Sequence, residues 1–97
     1  MLAKNPVDLS REKKFSKEEI AQAIRWAIIA ELDAVNFYVQ LAERIEDESI
    51  KKVFFDIAKE EKEHIGEFLE LLLRIDKEQV KALESGRKEV LELLGKE

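Results

Sequence analysis

Two glutamates and the single histidine of this chain are the residues whose type and spacing could do chemistry. Glu61 and His64 are three positions apart, so on a helix both side chains project from one face. Glu31 occupies a comparable position in an earlier apolar stretch. Carboxylate oxygen and imidazole nitrogen together suit iron, manganese or zinc. The sequence therefore predicts a metal site made by Glu31, Glu61 and His64.

The phase of these residues distinguishes them from ordinary surface charges. Both stretches place apolar residues in alternating steps of four and three, the spacing of about 3.5 residues that faces a helical-bundle core. Burying ionised carboxylates there without partners costs several kcal/mol, and neither stripe contains Lys or Arg. A metal cation would supply the missing charge. The stripes are Ile24, Ile28, Glu31, Val35, Tyr38, Ala42 and Ile45, and Ile50, Phe54, Ile57, Glu61, His64, Phe68, Leu71 and Ile75.

The elements that position these residues are predicted to be helices, which makes the chain all-α. One proline and three glycines among 97 residues leave few helix breakers. Residues 1–15 have no apolar period and are expected to form an extended N-terminal arm. Residues 16–97 are expected to form one domain, an antiparallel two-helix hairpin with a shorter C-terminal helix.

Capping signals set the expected helix ends. Ser16 and Glu19 form the pattern of a capping box before a first helix over about 17–45. The polar "EDES" at 46–49 is a short connection, and Asp47 or Ser49 would cap a second helix over about 50–74. A third helix, capped by Asp76, is expected to reach about residue 94, with an interruption or loosening near residues 85–86.

One chain holds only half of a two-metal site. In di-metal carboxylate bundles, two helices each provide a Glu and two others each provide a Glu-x-x-His. Here one helix carries the single Glu and one carries the Glu-x-x-His. A homodimer with two-fold symmetry, in which two hairpins close into a four-helix bundle, would complete the site.

The same residues also allow interpretations without a metal. With 22 acidic residues in the chain, a Glu-x-x-His string arises easily by chance. Glu60, Glu63 and Glu67 lie off the stripe and are interpreted as solvated charges. Tyr38 could hydrogen-bond a metal ligand or simply pack in the core. The chain as a whole could be a non-enzymatic helical assembly module whose two glutamates and histidine are merely hydrated.

Composition excludes several classes of function. The net charge of −5, with acids and bases interspersed, argues against nucleic-acid binding. The N-terminus has neither the pattern of a signal peptide nor a spanning segment, so no membrane association and a cytoplasmic location are expected. A second apolar face requires cover from the third helix or from further subunits, and a higher oligomer is expected. That face includes Trp26, Ala30, Phe37, Leu41, Phe55, Leu69 and Leu73.

Two segments resemble the encapsulated ferritins, "AIIAELDAVNFYVQLAE" at 27–43 and "DIAKEEKEHIGEFLELLLRID" at 56–76. The resemblance implies a ferroxidase that oxidises Fe(II) to Fe(III) with oxygen at a site between two subunits. The metal ligands and catalytic residues would be Glu31, Glu61 and His64, binding two irons per dimer. Zinc, manganese or calcium would be substitute metals, and Tyr38 would lie in the second shell.

The same resemblance implies an assembly. Dimers of this family join into a ring, typically a decamer, and an encapsulin shell houses the ring and stores the iron. The chain would then lie within an encapsulin nanocompartment in the cytoplasm. A rubrerythrin-like di-metal peroxidase is the alternative enzyme, although such proteins usually carry two Glu-x-x-His motifs in one longer chain.

Two features depart from the family pattern. Some members have a pair of acids near a Trp that form an outer site where metal is taken up. Here Ala30 and Asp33 occupy the acid positions and Phe37 replaces the Trp, so only Asp33 is assigned to such a site. The segment "VLELLGKE" at 90–97 also contains no apolar targeting peptide after a linker, which is expected of a domain cut from a fusion to a shell protein or of a truncated chain.

Overall fold

The chain folds into three helices in a computed structural model that describes residues 13–95. α1 spans Lys17–Arg44, α2 spans Glu48–Ile75 and α3 spans Lys77–Leu94. Strands are absent from the described part, so the predicted all-α class, with a hairpin and a shorter third helix, is confirmed. Most of the predicted arm, residues 1–12, lies outside the described residues, and the domain limits stay a prediction. Within 13–95, no helix is long and apolar enough to cross a membrane.

Capping residues mark the start of each helix of the hairpin. Ser16 and Glu19 form the predicted capping box, in which each side chain accepts from the other residue's backbone N–H at 3.2 and 2.9 Å. Asp47 caps α2 by accepting from the backbone N–H of Ser49 and Ile50. Because Asp47 is the cap, α2 starts at Glu48, two positions earlier than the predicted start at about residue 50.

Asp76 alone separates α2 from α3. Its backbone N–H donates to Leu72 O at 2.9 Å, and its side chain caps α3 by accepting from Gln79 N at 3.1 Å. The predicted interruption near Ser85 and Gly86 was wrong, because α3 is continuous through both. A helical glycine costs only about 1 kcal/mol relative to alanine, which is too little to break a helix that has a cap and no internal proline.

The hairpin does not close a core by itself. The buried side chains between 13 and 95 are small apart from one leucine, and no large side chain among them is fully buried. α3 contacts α2 but not α1, and large apolar side chains such as Phe37, Val53 and Leu93 are more than half exposed. Much apolar surface therefore remains open. The buried residues are Ala21, Ala42, Ala58 and Leu72.

Candidate metal centre

The hairpin brings together the three residues that the sequence selected. Glu31 lies in the middle of α1, and Glu61 and His64 lie opposite it on α2. His64 Nδ1 is 3.2 Å from Glu31 Oε2 and 3.5 Å from Glu61 Oε2. One ligand atom from each residue lies within 4.8 Å of the other two. Antiparallel packing thus converts positions that are distant in sequence into one cluster.

These separations fit a shared metal ion. Bonds of about 2.1 Å from a metal to nitrogen or oxygen place neighbouring ligand atoms about 3 Å apart and opposite ones about 4.2 Å apart. The separations of 3.2 and 3.5 Å, and the limit of 4.8 Å, are close to this range. The donor set of two carboxylates and one imidazole also suits iron, manganese and zinc. Small side-chain movements would bring all three atoms onto one ion.

The cluster has too few positive partners for its acids. The Glu31 and Glu61 side chains are only 21% and 17% exposed. Among residues 13–95, no Lys or Arg nitrogen forms an ion pair with either carboxylate. His64 Nδ1 can donate at most one hydrogen, while the two carboxylates offer four acceptor oxygens. A cation would satisfy these oxygens better than the imidazole does.

One side of the cluster is open. The His64 side chain is 46% exposed, and Ile50 and Leu71, farther along the same stripe, are 48% and 50% exposed. α1 covers only part of the apolar stripe of α2, and the exposed part can pack against another pair of helices. Three ligands from one chain also leave coordination positions free on any metal that binds there.

Tyr38 and Asp33 lie away from the three clustered side chains. Tyr38 follows Glu31 by two helical turns, about 10.5 Å along the axis. Its ring packs edge-on against Phe54, with centroids 6.3 Å apart, and against Phe37 at 5.4 Å. Between residues 13 and 95 the structure records no hydrogen bond from Tyr38 to the cluster. That Tyr38 hydrogen-bonds a metal ligand stays a prediction.

Asp33 is exposed and points about 200° around α1 from Glu31. It lines a shallow surface depression together with Trp26, Ile29 and Ala30. This position does not allow Asp33 to reach the clustered ligands from the same chain. An uptake site on the outer face of α1 is compatible with this placement and remains untested.

Sequence reasoning missed an ion pair at the other end of the hairpin. Arg25 Nη2 donates to Asp76 Oδ2 at 2.7 Å, and the side chains are 46% and 23% exposed. The partners are 51 positions apart. Arg25 lies off the apolar stripe, so no local pattern predicts which acid it meets.

Comparison with known proteins agrees with this architecture. The family described as Rubrerythrin matches residues 12–94. The chain belongs to the Rubrerythrin family. A crystal structure of the encapsulated ferritin domain from Pyrococcus furiosus superposes with a TM-score of 0.88 at 50% sequence identity, covering 100% of this chain and 99% of that one. The resemblance to encapsulated ferritins is therefore confirmed.

Two curated relatives are similar to this chain. A ferritin-like-encapsulin shell fusion protein of Pyrococcus furiosus is 52% identical over 95 residues, which are 98% of this chain and 28% of that protein. The encapsulin nanocompartment cargo protein EncC of Myxococcus xanthus is 37% identical over 75 residues, covering 77% of this chain and 58% of that protein. The chain thus spans only part of the length of both relatives.

Proposed function

We propose that this protein is a ferroxidase that oxidises Fe(II) to Fe(III) at a di-iron site formed between two copies of the chain. The observation that carries the proposal is the cluster of Glu31, Glu61 and His64, whose ligand atoms lie within 4.8 Å of one another. No cation of the described chain neutralises the two acids, and the cluster is open on the side where a second hairpin would pack.

Charge supports a site shared by two copies. Each copy provides two carboxylates and one imidazole, and an imidazole that binds a metal is neutral. Two copies therefore bring a charge of −4, which balances two Fe(II) ions. Fe(III) is a harder and more highly charged ion, so anionic oxygen ligands stabilise it more than they stabilise Fe(II). The ligand set thus favours the oxidised metal and lowers the reduction potential of the bound iron.

Each residue has a defined role in this reaction. Glu31 and Glu61 hold the iron substrate through carboxylate oxygens, and carboxylates are able to bridge two metals. His64 binds through Nδ1, the nitrogen that already faces both acids. Each Fe(II) gives up one electron. The two irons of one site thus supply the two electrons that, with two protons, reduce oxygen to hydrogen peroxide. Reduction of oxygen to two waters takes four electrons and four protons and therefore needs four Fe(II).

The assembly around the site is part of the proposal. Two hairpins form a four-helix bundle, and dimers join into a ring, most simply a decamer, through the apolar faces that one hairpin leaves exposed. An encapsulin shell in the cytoplasm houses this ring and stores the product iron. The names of both curated relatives, a shell fusion protein and a nanocompartment cargo protein, support this partner.

Rapid mixing of the metal-free protein with Fe(II) and oxygen tests the enzyme. The parent chain should oxidise iron much faster than buffer does, whereas Glu31→Ala, Glu61→Ala and His64→Ala should each lose more than the roughly 10–100-fold that removal of an outer-shell partner costs. Glu60→Ala is the matched control, because Glu60 is an exposed acid beside Glu61. Equal initial rates in the parent and the three ligand variants would reject the site.

Metal stoichiometry tests the shared site and the identity of the metal. Native mass spectrometry should find two irons per dimer after anaerobic loading, with zinc, manganese or calcium as substitutes. Iron bound one per monomer, with no dimer, would contradict the shared site. Protein that binds no metal at all would favour the helical assembly module instead.

A rubrerythrin-like peroxidase is the second candidate, because the family match is to Rubrerythrin. The two activities differ in the oxidant that reacts with Fe(II). Single-turnover oxidation that is fast with oxygen supports the ferroxidase. Oxidation that is slow with oxygen and fast with hydrogen peroxide assigns the site to the peroxidase.

A further inference from the structure

One residue joins α2 to α3 and carries three separate interactions. The backbone N–H of Asp76 ends α2 by donating to Leu72 O. Its Oδ1 starts α3 by accepting from Gln79 N, and its Oδ2 accepts from Arg25 of α1. The two carboxylate oxygens therefore have different tasks. Oδ1 caps the N-terminus of α3, and Oδ2 connects that N-terminus to α1 through Arg25.

Apart from its contacts with α2, little else in the described chain holds α3 in place. α3 has no buried residue and does not contact α1. α3 therefore leaves the hairpin rather than lying alongside both of its helices.

Small rotations at this junction have large effects. α3 contains 18 residues and is about 27 Å long, so a turn of about 10° at Asp76 moves its far end by about 5 Å. Backbone hydrogen bonds at Asp76 close α2 and α3 individually, and they leave the angle between the helices free. The hydrogen bond from Arg25 connects the N-cap of α3 to α1 and can therefore restrict that angle.

We propose that the Arg25–Asp76 ion pair is a positioning device that fixes the direction in which α3 leaves the hairpin. α3 carries exposed apolar residues on one stripe, with Leu83 at 43%, Val90 at 53% and Leu94 at 65% exposure. The ion pair thereby determines where this stripe points. Exposed ion pairs contribute little to global stability, so its effect lies in helix direction rather than in resistance to unfolding.

Distance measurements between α1 and α3 test this proposal. The chain has no cysteine, so Asn36→Cys on α1 and Glu89→Cys on α3, both exposed positions, provide two unique sites for spin labels. Full-length labelled protein is diluted with unlabelled protein so that only intramolecular pairs are read by pulsed electron resonance. The parent should give one narrow distance distribution.

Two substitutions remove the ion pair by different routes. Arg25→Gln removes the guanidinium, and Asp76→Asn removes the negative charge but keeps a good helix cap. Both should broaden or shift the distribution, with helix content by circular dichroism unchanged. Arg25→Lys should restore most of the parental distribution, because the ammonium keeps the charge.

Arg74→Gln is the matched control. It breaks the Arg74–Glu70 pair, which has a similar length of 2.9 Å but lies within α2. Its distribution should equal that of the parent. The proposal is overturned if Arg25→Gln and Asp76→Asn leave the distribution unchanged, or if Arg74→Gln alters it to the same degree. The measurement needs no metal, so its result is independent of the proposed ferroxidase site.

Discussion

The middle of the hairpin and the junction between α2 and α3 both contain partly buried acidic side chains, and the two regions differ in the positive partners of these acids. At the junction, Asp76 receives Arg25 at 2.7 Å and Gln79 N at 3.1 Å. In the middle, Glu31 and Glu61 share the Nδ1 atom of His64 at 3.2 and 3.5 Å. One acid finds its cation within the chain, and the other two do not.

This difference indicates what each region is for. An acid with its own arginine and its own backbone N–H completes a structural contact. Two acids that converge on one imidazole, in a stripe that is otherwise apolar, would keep unsatisfied acceptor oxygens in the proposed dimer, where a second hairpin excludes water. A bound cation resolves the second case. The junction is therefore a finished contact, while the middle of the hairpin is the metal site that we propose.

Metal binding should give the largest contrast between the two regions. Zn(II), which is not oxidised, should raise the unfolding free energy by about 2.7 kcal/mol at 100 times its Kd. For a domain of this size, that corresponds to a Tm increase of about 10–20 °C. Calorimetry should show the increase in the parent and in Arg25→Gln, and none in His64→Ala. An equal increase in His64→Ala would place the metal elsewhere.

Replacing the cluster with apolar residues should have the next largest effect. The triple variant Glu31→Leu, Glu61→Leu and His64→Leu extends both stripes without interruption. In chelator, urea unfolding should show it to be more stable than the parent, toward the lower end of about 1–4 kcal/mol because the three side chains are partly exposed. A less stable variant would mean that the three polar groups stabilise the metal-free fold.

Breaking the junction pair should change stability less. Arg25→Gln is expected to lower the unfolding free energy by under about 1 kcal/mol, since both partners reach solvent. Urea unfolding of the metal-free protein measures the change, and 1 M salt should reduce the difference between variant and parent. A loss several times larger would show that Arg25 supports the hairpin as well as the direction of α3.

The cap of α2 should give the smallest effect, and it depends on pH. The Ser49 hydroxyl, followed by the backbone N–H groups of Ile50 and Ser49, holds the pKa of Asp47 below its ordinary value of 3.8. The folded-state pKa is lowered, so this stabilisation is present above pH 3.8 and is lost as the pH falls through the folded value.

Comparison with Asp47→Asn isolates that contribution, because asparagine also caps but carries no titrating charge. The parent should melt at a slightly higher temperature than Asp47→Asn near neutral pH, and the gap should close in acid below the ordinary Asp pKa. A gap that is constant across this pH range would show that the charge of Asp47 does not matter.

Local sequence signals predicted much of the fold. The caps at Ser16 and Asp76 each involve a partner three positions away, so the pattern is visible in the sequence. The apolar stripes likewise predicted that Glu31 would meet Glu61 and His64. The errors concerned local strength. Of the two predicted caps Asp47 is the one used, so α2 starts at Glu48 and not at about residue 50, and Ser85 and Gly86 do not weaken α3 enough to interrupt it.

The sequence by itself determined three helices and their caps, because each follows from contacts three or four positions apart. It also placed Glu31, Glu61 and His64 on the core-facing stripes, because one repeating phase sets the face that each residue occupies. Only the tertiary structure decided that Arg25 meets Asp76 across 51 positions, that α3 leaves the hairpin, and that His64 stays 46% exposed. The physical reason is that such contacts depend on how completed helices pack. Helix periodicity sets the face of the helix that a residue occupies. It does not set which distant side chain contacts that face, or how much of the face stays exposed to solvent.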